Sequence, residues 1–333
     1  MANSVGPAFV WPPFPVSASC KEPVVQTFQG VTLETFDIDG VGDLRALAAL
    51  DENVAWVGGT QGRIAKTDDG GRSWSSYHIA GAEQLDFRAL CICNPGTVCA
   101  MSAGSADKAL SRVYRTVNGG KHWDLVLFPK ETDIFFNAMV FWDANHGILL
   151  GDPLEDRFVL FRTEDAGATW ERLNPTEMPF AFKGEKVFAA SNSCLAVQGS
   201  KNVWFATGGG ELARVFCSAD RGDHWTVVET PMQLSSPSSG IFSLAFSDRD
   251  TGIAVGGDYC SPTGGPQSNI IVTNNGGTSW QPLSDASLAR RYLSSVAWIR
   301  DSRVVVVDES VDPFHSVAIA GGCGWAVGAS KMC

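Results

Sequence analysis

One eight-residue formula recurs five times along the chain: TDDGGRSW at 67–74, TVNGGKHW at 116–123, TEDAGATW at 163–170, SADRGDHW at 218–225 and TNNGGTSW at 273–280. Its invariant parts are Ser/Thr, then Asp/Asn two residues on, Gly two further, and Trp three beyond that. A spacing of about fifty residues between copies specifies a repeat architecture before any other feature is read. Within each copy the residues describe a tight turn. Asp69, Asn118, Asp165, Asp220 and Asn275 can fold their side chains onto nearby backbone N–H groups. Gly71, Gly120, Gly167, Gly222 and Gly277 supply positive φ. Trp74, Trp123, Trp170, Trp225 and Trp280 follow as large rings to bury against a neighbour.

Each box lies in a longer unit. Before it runs a short strand pattern (RIAKT, RVYRT, FVLFRT, ARVFCS, NIIVT). Before that comes a Gly-ended one (NVAWVGG, TVCAMSAG, HGILLGD, NVWFATGG, TGIAVGG). Earlier still stand DLRALAAL, DFRALCIC, FFNAMVFW, KVFAASNSCLAV and IFSLAFSD. Four short strands per unit, A to D with the box between C and D, predict an all-β chain of four-stranded antiparallel blades: a β-propeller. No long amphipathic helical pattern competes.

The formula resembles the Asp-box, or BNR, repeat of sialidase-superfamily propellers. The wider unit, with its apolar Gly-ended strand before the box, is similar to the photosystem II assembly and stability factor family. The resemblance covers about residues 40–333. It implies the fold, and it implies enzymes and binding proteins alike, because function is carried by sites and not by folds.

The pattern breaks after the fifth box. Two more A/B pairs follow, RRYLSSVAWI with RVVVVDES and FHSVAIAGG with GWAVGAS. Their A strands start too close together for a C strand, a box and a D strand between them. We expect seven blades with the sixth cut short. The alternative is six blades, with the last two pairs merged into one sheet. Residues 1–23 read as a Pro-rich arm and 24–333 as one propeller domain, with VVQTFQGVTLETFDI at 24–38 closing the last blade.

Composition limits the partners. Net charge is −11 without a Lys/Arg cluster, which argues against nucleic acid and anionic membranes. No apolar run reaches membrane-spanning length. No clear secretion signal or transit peptide opens the chain; the family resemblance alone suggests an extracytoplasmic or plastid setting. A monomer is expected. The nine Cys include no CxxC pair. Cys91 and Cys93 share a strand face, a poor geometry for bonding to each other, and buried free thiols are expected. No metal or cofactor motif is found.

In a propeller the A strands line the central channel, and A-strand starts share a face with B-strand ends. The C–D turns open on the other face, so the box acids are expected to be structural. Aligning the A strands gives Arg45, Arg88, Asn137, Ala189, Phe242, Ser294 and His315 as equivalent positions. Asp152 and Asp258 end B strands, and Tyr259 could add an aromatic wall. Arg45, Arg88, Asn137, Asp152, Asp258, Tyr259 and His315 are thus the candidate mouth of a polar pocket. Pairing of the arginines with Asp43, Asp86, Asp152 or Asp258 would leave that funnel merely neutralised.

Three function classes follow. The first is a non-catalytic binding or assembly scaffold that holds a protein client or small polar ligand in the funnel, as resemblance to the assembly factors implies. The basic client-binding surface of that family has no obvious counterpart here. The second is a glycoside hydrolase, for which Asp152 and Asp258 are the one carboxylate pair to test. The sialidase Arg-Ile-Pro opening is absent. The third, a redox enzyme, lacks any nucleotide or haem motif and ranks last.

Overall fold

The computed structural model describes residues 43–104, 106–131, 133–174, 178–265, 268–283, 288–299, 303–309, 314–320 and 323–328, together with Ile38 and the backbones of Phe9–Val10, Val24–Phe28 and Val31–Thr35. Five complete four-stranded antiparallel blades span Leu44–His78, Asp86–Leu127, Phe136–Leu173, Leu195–Glu229 and Ser239–Pro282. In each, the strands lie in chain order from inside to outside. The sixth blade has Leu293–Trp298 and Val304–Asp308, and Phe9–Val10 adds to its B strand in parallel. The seventh has Phe314–Ala320 paired with Cys323–Gly328. Val24–Phe28 and Val31–Thr35 pair with each other as a hairpin.

The seven A strands neighbour one another in sequence, and the seventh, Phe314–Ala320, packs against the first, Leu44–Ala49. The ring is closed with seven members. The last two strand pairs are separate sheets, each with its own place in the ring, so the six-blade alternative does not hold.

Each box is built by two side chains. The leading Thr/Ser Oγ accepts the N–H of the box glycine, at 2.9 Å for Gly71, Gly167 and Gly222 and 3.0 Å for Gly120 and Gly277. The same hydroxyl donates to the Asp/Asn Oδ1, which accepts the N–H of the residue before Trp, as in Asp69 with Ser73 at 2.8 Å. Asn118, Asp165, Asp220 and Asn275 repeat this bond at 2.9–3.0 Å. The acids satisfy backbone donors that the turn would otherwise strand. The structure adds the hydroxyl as an equal partner.

The tryptophans seal blade to blade. Trp225 and Trp280 are buried, and Trp74, Trp123 and Trp170 are half-buried. Trp123 meets Trp56 of the first blade edge-on at 6.1 Å, and Trp74 meets Trp325 of the seventh at 6.4 Å. Such contacts add about 0.5–1.5 kcal/mol each beyond area burial. Gly120, Gly167, Gly222 and Gly277 lie against the B strand of the preceding blade. A Cβ on Gly167 would stand 2.4 Å from Cys99 Sγ, and one on Gly120 would stand 2.9 Å from the Trp56 ring. Glycine is therefore required at the seam twice over, by its φ of +78° at Gly167 and by the approach of the neighbouring blade.

One expected strand is not regular. KVFAASNSCLAV reads as the A strand of blade four, but only Leu195–Gln198 forms ladder pairs. Upstream, Lys186 bridges to Gly208, and Gly208 bridges to Gly240 of blade five. Residues 189–193 then reach five other blades. Ala189 O accepts Arg88 Nη1 at 2.6 Å, and Asn192 exchanges two bonds with the Met139 backbone at 2.8 and 2.9 Å. Ser193 Oγ contacts Ser243 Oγ at 2.6 Å. Ser191 Oγ donates to Ser294 O at 2.8 Å, while Ser191 O accepts Ser316 Oγ at 3.3 Å. A five-residue segment that touches blades two, three, five, six and seven lies across the propeller axis. The expected hollow channel is bridged. Polar residues at the A-strand position, and Asn192 at φ +64°, allow the chain to leave the strand and cross.

Two substitutions separate the two demands on box glycines. Gly119 has φ +69° but open space beyond its Cα, so Gly119→Ala should cost about 1 kcal/mol from backbone strain alone. Gly167→Ala meets both strain and the Cys99 contact and should cost about 3 kcal/mol. Denaturant midpoints of the two variants test this; equal losses would show that seam packing is not part of the requirement.

Candidate functional site

A-strand starts, B-strand ends and D–A connections share one face, opposite the box turns, because consecutive strands in each blade run antiparallel. On that face the bridging segment forms the floor of a mouth.

One side is a chain of ionic contacts. Arg45 Nε and Nη2 donate to Asp43 Oδ2 at 3.0 and 2.7 Å. Asp43 Oδ1 lies 3.0 Å from His315 Nε2, and His315 Nδ1 lies 3.1 Å from Glu309 Oε1. The chain joins the first blade to the seventh, where the ring closes. The His315 hydrogen bond pulls the Asp43 carboxyl down to about 2, against burial, with Arg45 assisting. For His315, burial opposes the charged form, but Asp43 and Glu309 outweigh it and raise the imidazole.

A second arginine is held similarly. Arg88 Nε donates to Asp86 Oδ2 at 2.7 Å, and Nη1 anchors the floor at Ala189. Arg45 Nη1 and Arg88 Nη2 have no hydrogen-bond partner among the described residues, and both side chains are partly exposed. The Asp-x-Arg spacing, two apart on one strand, puts acid and base on the same face and accounts for both pairs. Beside them Phe188 stacks on Phe242 at 4.2 Å, Tyr292 meets Phe242 edge-on at 4.8 Å, and Tyr259 closes on both phenylalanines from 6.1 and 6.2 Å. Tyr259 is 47% exposed and forms the open wall.

The two B-strand carboxylates occupy different settings. Asp152 Oδ1 accepts Asn137 Nδ2 at 2.9 Å and Val187 N at 3.0 Å. Burial raises Asp152 to about 6, although those two bonds and Lys186 pull the other way. Asp258 is buried, which would raise it, but donors from Ser236, Ser238, Cys260 N and Ser235 at 2.6–3.1 Å hold it low. These bonds tie down the 235–239 loop. Asp152 and Asp258 share no hydrogen-bond partner among the described residues.

The structure thus links Arg45 to His315 through Asp43, Arg88 to Ala189, Asn137 to Asp152, Phe242 to Tyr259, and Ser294 to His315, whose O accepts Ser294 Oγ at 3.2 Å. Sequence reasoning left out Glu309, Phe188 and Tyr292 as site residues, and read 189–193 as strand where the structure has a floor. The Ser-Asn-Ser run inside an otherwise apolar A strand was the one signal for the floor. No group of three or more His, Cys, Asp or Glu side chains suited to a metal ion occurs among the described residues, and no described helix is long and apolar enough to cross a membrane.

No protein-family model and no curated protein sequence matches the chain. Solved structures do. A GH74 xyloglucanase from Xanthomonas campestris superposes with a TM-score of 0.54 at 16% identity, over 85% of this chain and 44% of that one. YCF48 from Cyanidioschyzon merolae aligns at 0.47 and 13% identity over 88% and 94%. A YCF48 bound to a D1 peptide aligns at 0.40 and 13% identity over 88% and 92%. At these identities the likeness to the xyloglucanase speaks for the propeller fold alone.

The His315 contacts have a pH signature. A raised histidine contributes fully below its ordinary value of 6.5, and the contribution is lost as pH rises through the higher folded value. The lowered Asp43 contributes above 3.8, and its contribution is lost toward about 2. The ring-closing contacts therefore stabilise most between these limits. The melting-temperature gap between wild type and His315→Gln should be larger at about pH 5.5 than at about pH 9; a gap independent of pH would contradict the assignment.

Proposed function

We propose that this propeller is a non-catalytic binding scaffold whose mouth, between Arg45, Arg88 and Tyr259, holds a protein segment or a small polar ligand. One observation carries the reading. The mouth has a floor, an exposed aromatic wall and two guanidinium groups each with a free edge, while its carboxylates are consumed in holding the backbone and the ring together. Aromatic walls with a few fixed polar groups are what ligand sites are made of. An arginine held by a neighbouring acid is pre-positioned and still offers an N–H to a carbonyl or carboxylate. A photosystem-type client is a finer reading of the same role. The chain's charge of −11 favours a client with basic or neutral character around the contacting group.

The second reading is a glycoside hydrolase, favoured by Asp152, whose carboxyl is lifted to about 6, the range of a general acid. It needs a second carboxylate across one scissile bond. Asp258, with its donors already in place, is the candidate named above.

A peptide and metabolite array, scored by binding to the folded protein, tests both readings. A ligand retained by wild type should be lost, at least tenfold, in Arg45→Ala/Arg88→Ala and in Tyr259→Ala. Turnover on a glycan panel that disappears in Asp152→Asn/Asp258→Asn would overturn the scaffold reading.

We further propose that residues 24–333 are one domain whose last blade is completed by N-terminal strands. The support is the shortage of outer strands in blades six and seven among the described residues, and the hairpin at Val24–Thr35. Replacement of residues 24–38 by a Gly/Ser linker, which keeps Phe9–Val10, should lower the melting temperature by several degrees; an unchanged transition would show that the segment is not part of the domain.

A further inference from the structure

The seam between blades two and three holds three thiols that the mouth does not use. Cys91 and Cys99 are direct cross-strand partners on Asp86–Asn94 and Thr97–Ala103. Cys93 follows two positions after Cys91, where the register shifts between Ile92 and Asn94. Adjacent positions along one strand cannot be bridged, but a partner across the ladder can. The structure supplies that partner. All three cysteines are free, and Cys93 and Cys99 are buried.

Their hydrogen bonding is unequal. Cys91 is committed elsewhere, with its thiol on Met139 O at 3.2 Å. Cys93 and Cys99 both point at Ala166 O, at 3.9 and 3.8 Å, but Arg115 Nε takes that oxygen at 2.8 Å. Both sulfurs thus converge on one carbonyl oxygen whose shortest donor is Arg115. The Cys99 hydrogen bond favours the Cys93 thiolate against burial, and the Arg115 guanidinium adds to it. The same bond and burial raise Cys99. The pair is roofed by the third box turn, where Ala166 sits at φ +58°. In the first, second and fifth boxes that turn position is Gly70, Gly119 and Gly276.

We propose that Cys93 and Cys99 form a redox-active dithiol that peroxide converts to a disulfide. Cys93 thiolate attacks one oxygen of hydrogen peroxide. The O–O bond breaks, hydroxide leaves, and Cys93 becomes a sulfenic acid. Cys99 sulfur then attacks Cys93 sulfur and the S–O bond breaks. The departing hydroxide takes up the Cys99 proton as water. The balance is two thiols and one peroxide to one disulfide and two waters. A small oxidant suits a buried pair. Cys91 takes no part, because its thiol is tied to Met139 and burial keeps it protonated.

The test uses the reduced, folded, full-length chain. After peroxide treatment and quenching, the protein is unfolded, alkylated with iodoacetamide and digested with trypsin. All three cysteines fall in the one peptide 89–108. Untreated protein should carry three alkyl groups there. Oxidised protein should carry one, on Cys91 by fragmentation, and dithiothreitol should restore the other two. Three groups after peroxide, a loss that dithiothreitol does not reverse, or a bridged pair containing Cys91 would each overturn the proposal. As a second measurement, Cys99→Ser should accumulate a dimedone-reactive sulfenic acid on Cys93, and Cys91→Ser should still lose two labels.

Discussion

The fold depends on a hydroxyl and a glycine meeting in each of the five boxes. The Thr or Ser that opens a box binds the N–H of the box glycine and orients the Asp or Asn, which then caps the second half of the turn. That closed loop of bonds places a bare Cα against the preceding blade's B strand: Gly120 on Trp56, Gly167 on Cys99, Gly222 on Ile148 and Gly277 on Trp204. The turn is therefore the part through which one sheet docks on the next. A sheet this small cannot bury both its faces alone, so stability comes from the stack. The T-shaped pairs Trp56–Trp123 and Trp74–Trp325 report the same contact from the side, whereas Trp170, Trp225 and Trp280 meet Phe141, Phe205 and Phe246 of their own blades.

At the seam that closes the ring, other contacts add to the first box. Blades six and seven have no box. Between the seventh blade and the first stand His315 with Asp43, Trp325 Nε1 on Asp51 O at 3.2 Å, and the Trp74–Trp325 pair. Across the axis, residues 189–193 tie five blades together through main-chain and hydroxyl hydrogen bonds. Each such bond is worth only about 1 kcal/mol net, but all of them fail together if the segment leaves. This central tie also sets the mouth, because Phe188 and Ala189 are fixed by the same segment that fills the channel.

The charges at the mouth divide into those spent on structure and those left over. Asp43, Asp86, Asp152, Asp258 and Glu309 each face a specific donor or cation. What stays open is one edge each of Arg45 and Arg88 and the face of Tyr259. A site of that kind binds by shape and by donor hydrogen bonds. Asp43 and Glu309 are both placed on His315, while Asp152 and Asp258 share no partner among the described residues.

The five boxes, read from spacing alone, determined the blade count up to five, the strand order within each blade, and the burial of the tryptophans. Periodicity and turn chemistry are local, and local rules decide them. For Arg45 and Arg88 the sequence left four acids open as partners, and the structure pairs them with Asp43 and Asp86. What the sequence did not settle was decided by contacts between residues far apart in the chain. Seven blades, not six, follow from the packing of Phe314–Ala320 on Leu44–Ala49. The crossing of 189–193 over the axis follows from partners at Met139, Ser243, Ser294 and Ser316, none of which is near in sequence. Asp152 and Asp258 read alike as B-strand ends; only the three-dimensional surroundings gave one a buried amide for a partner and the other a cluster of serines, because the energy of a carboxylate is set by the donors that fold around it.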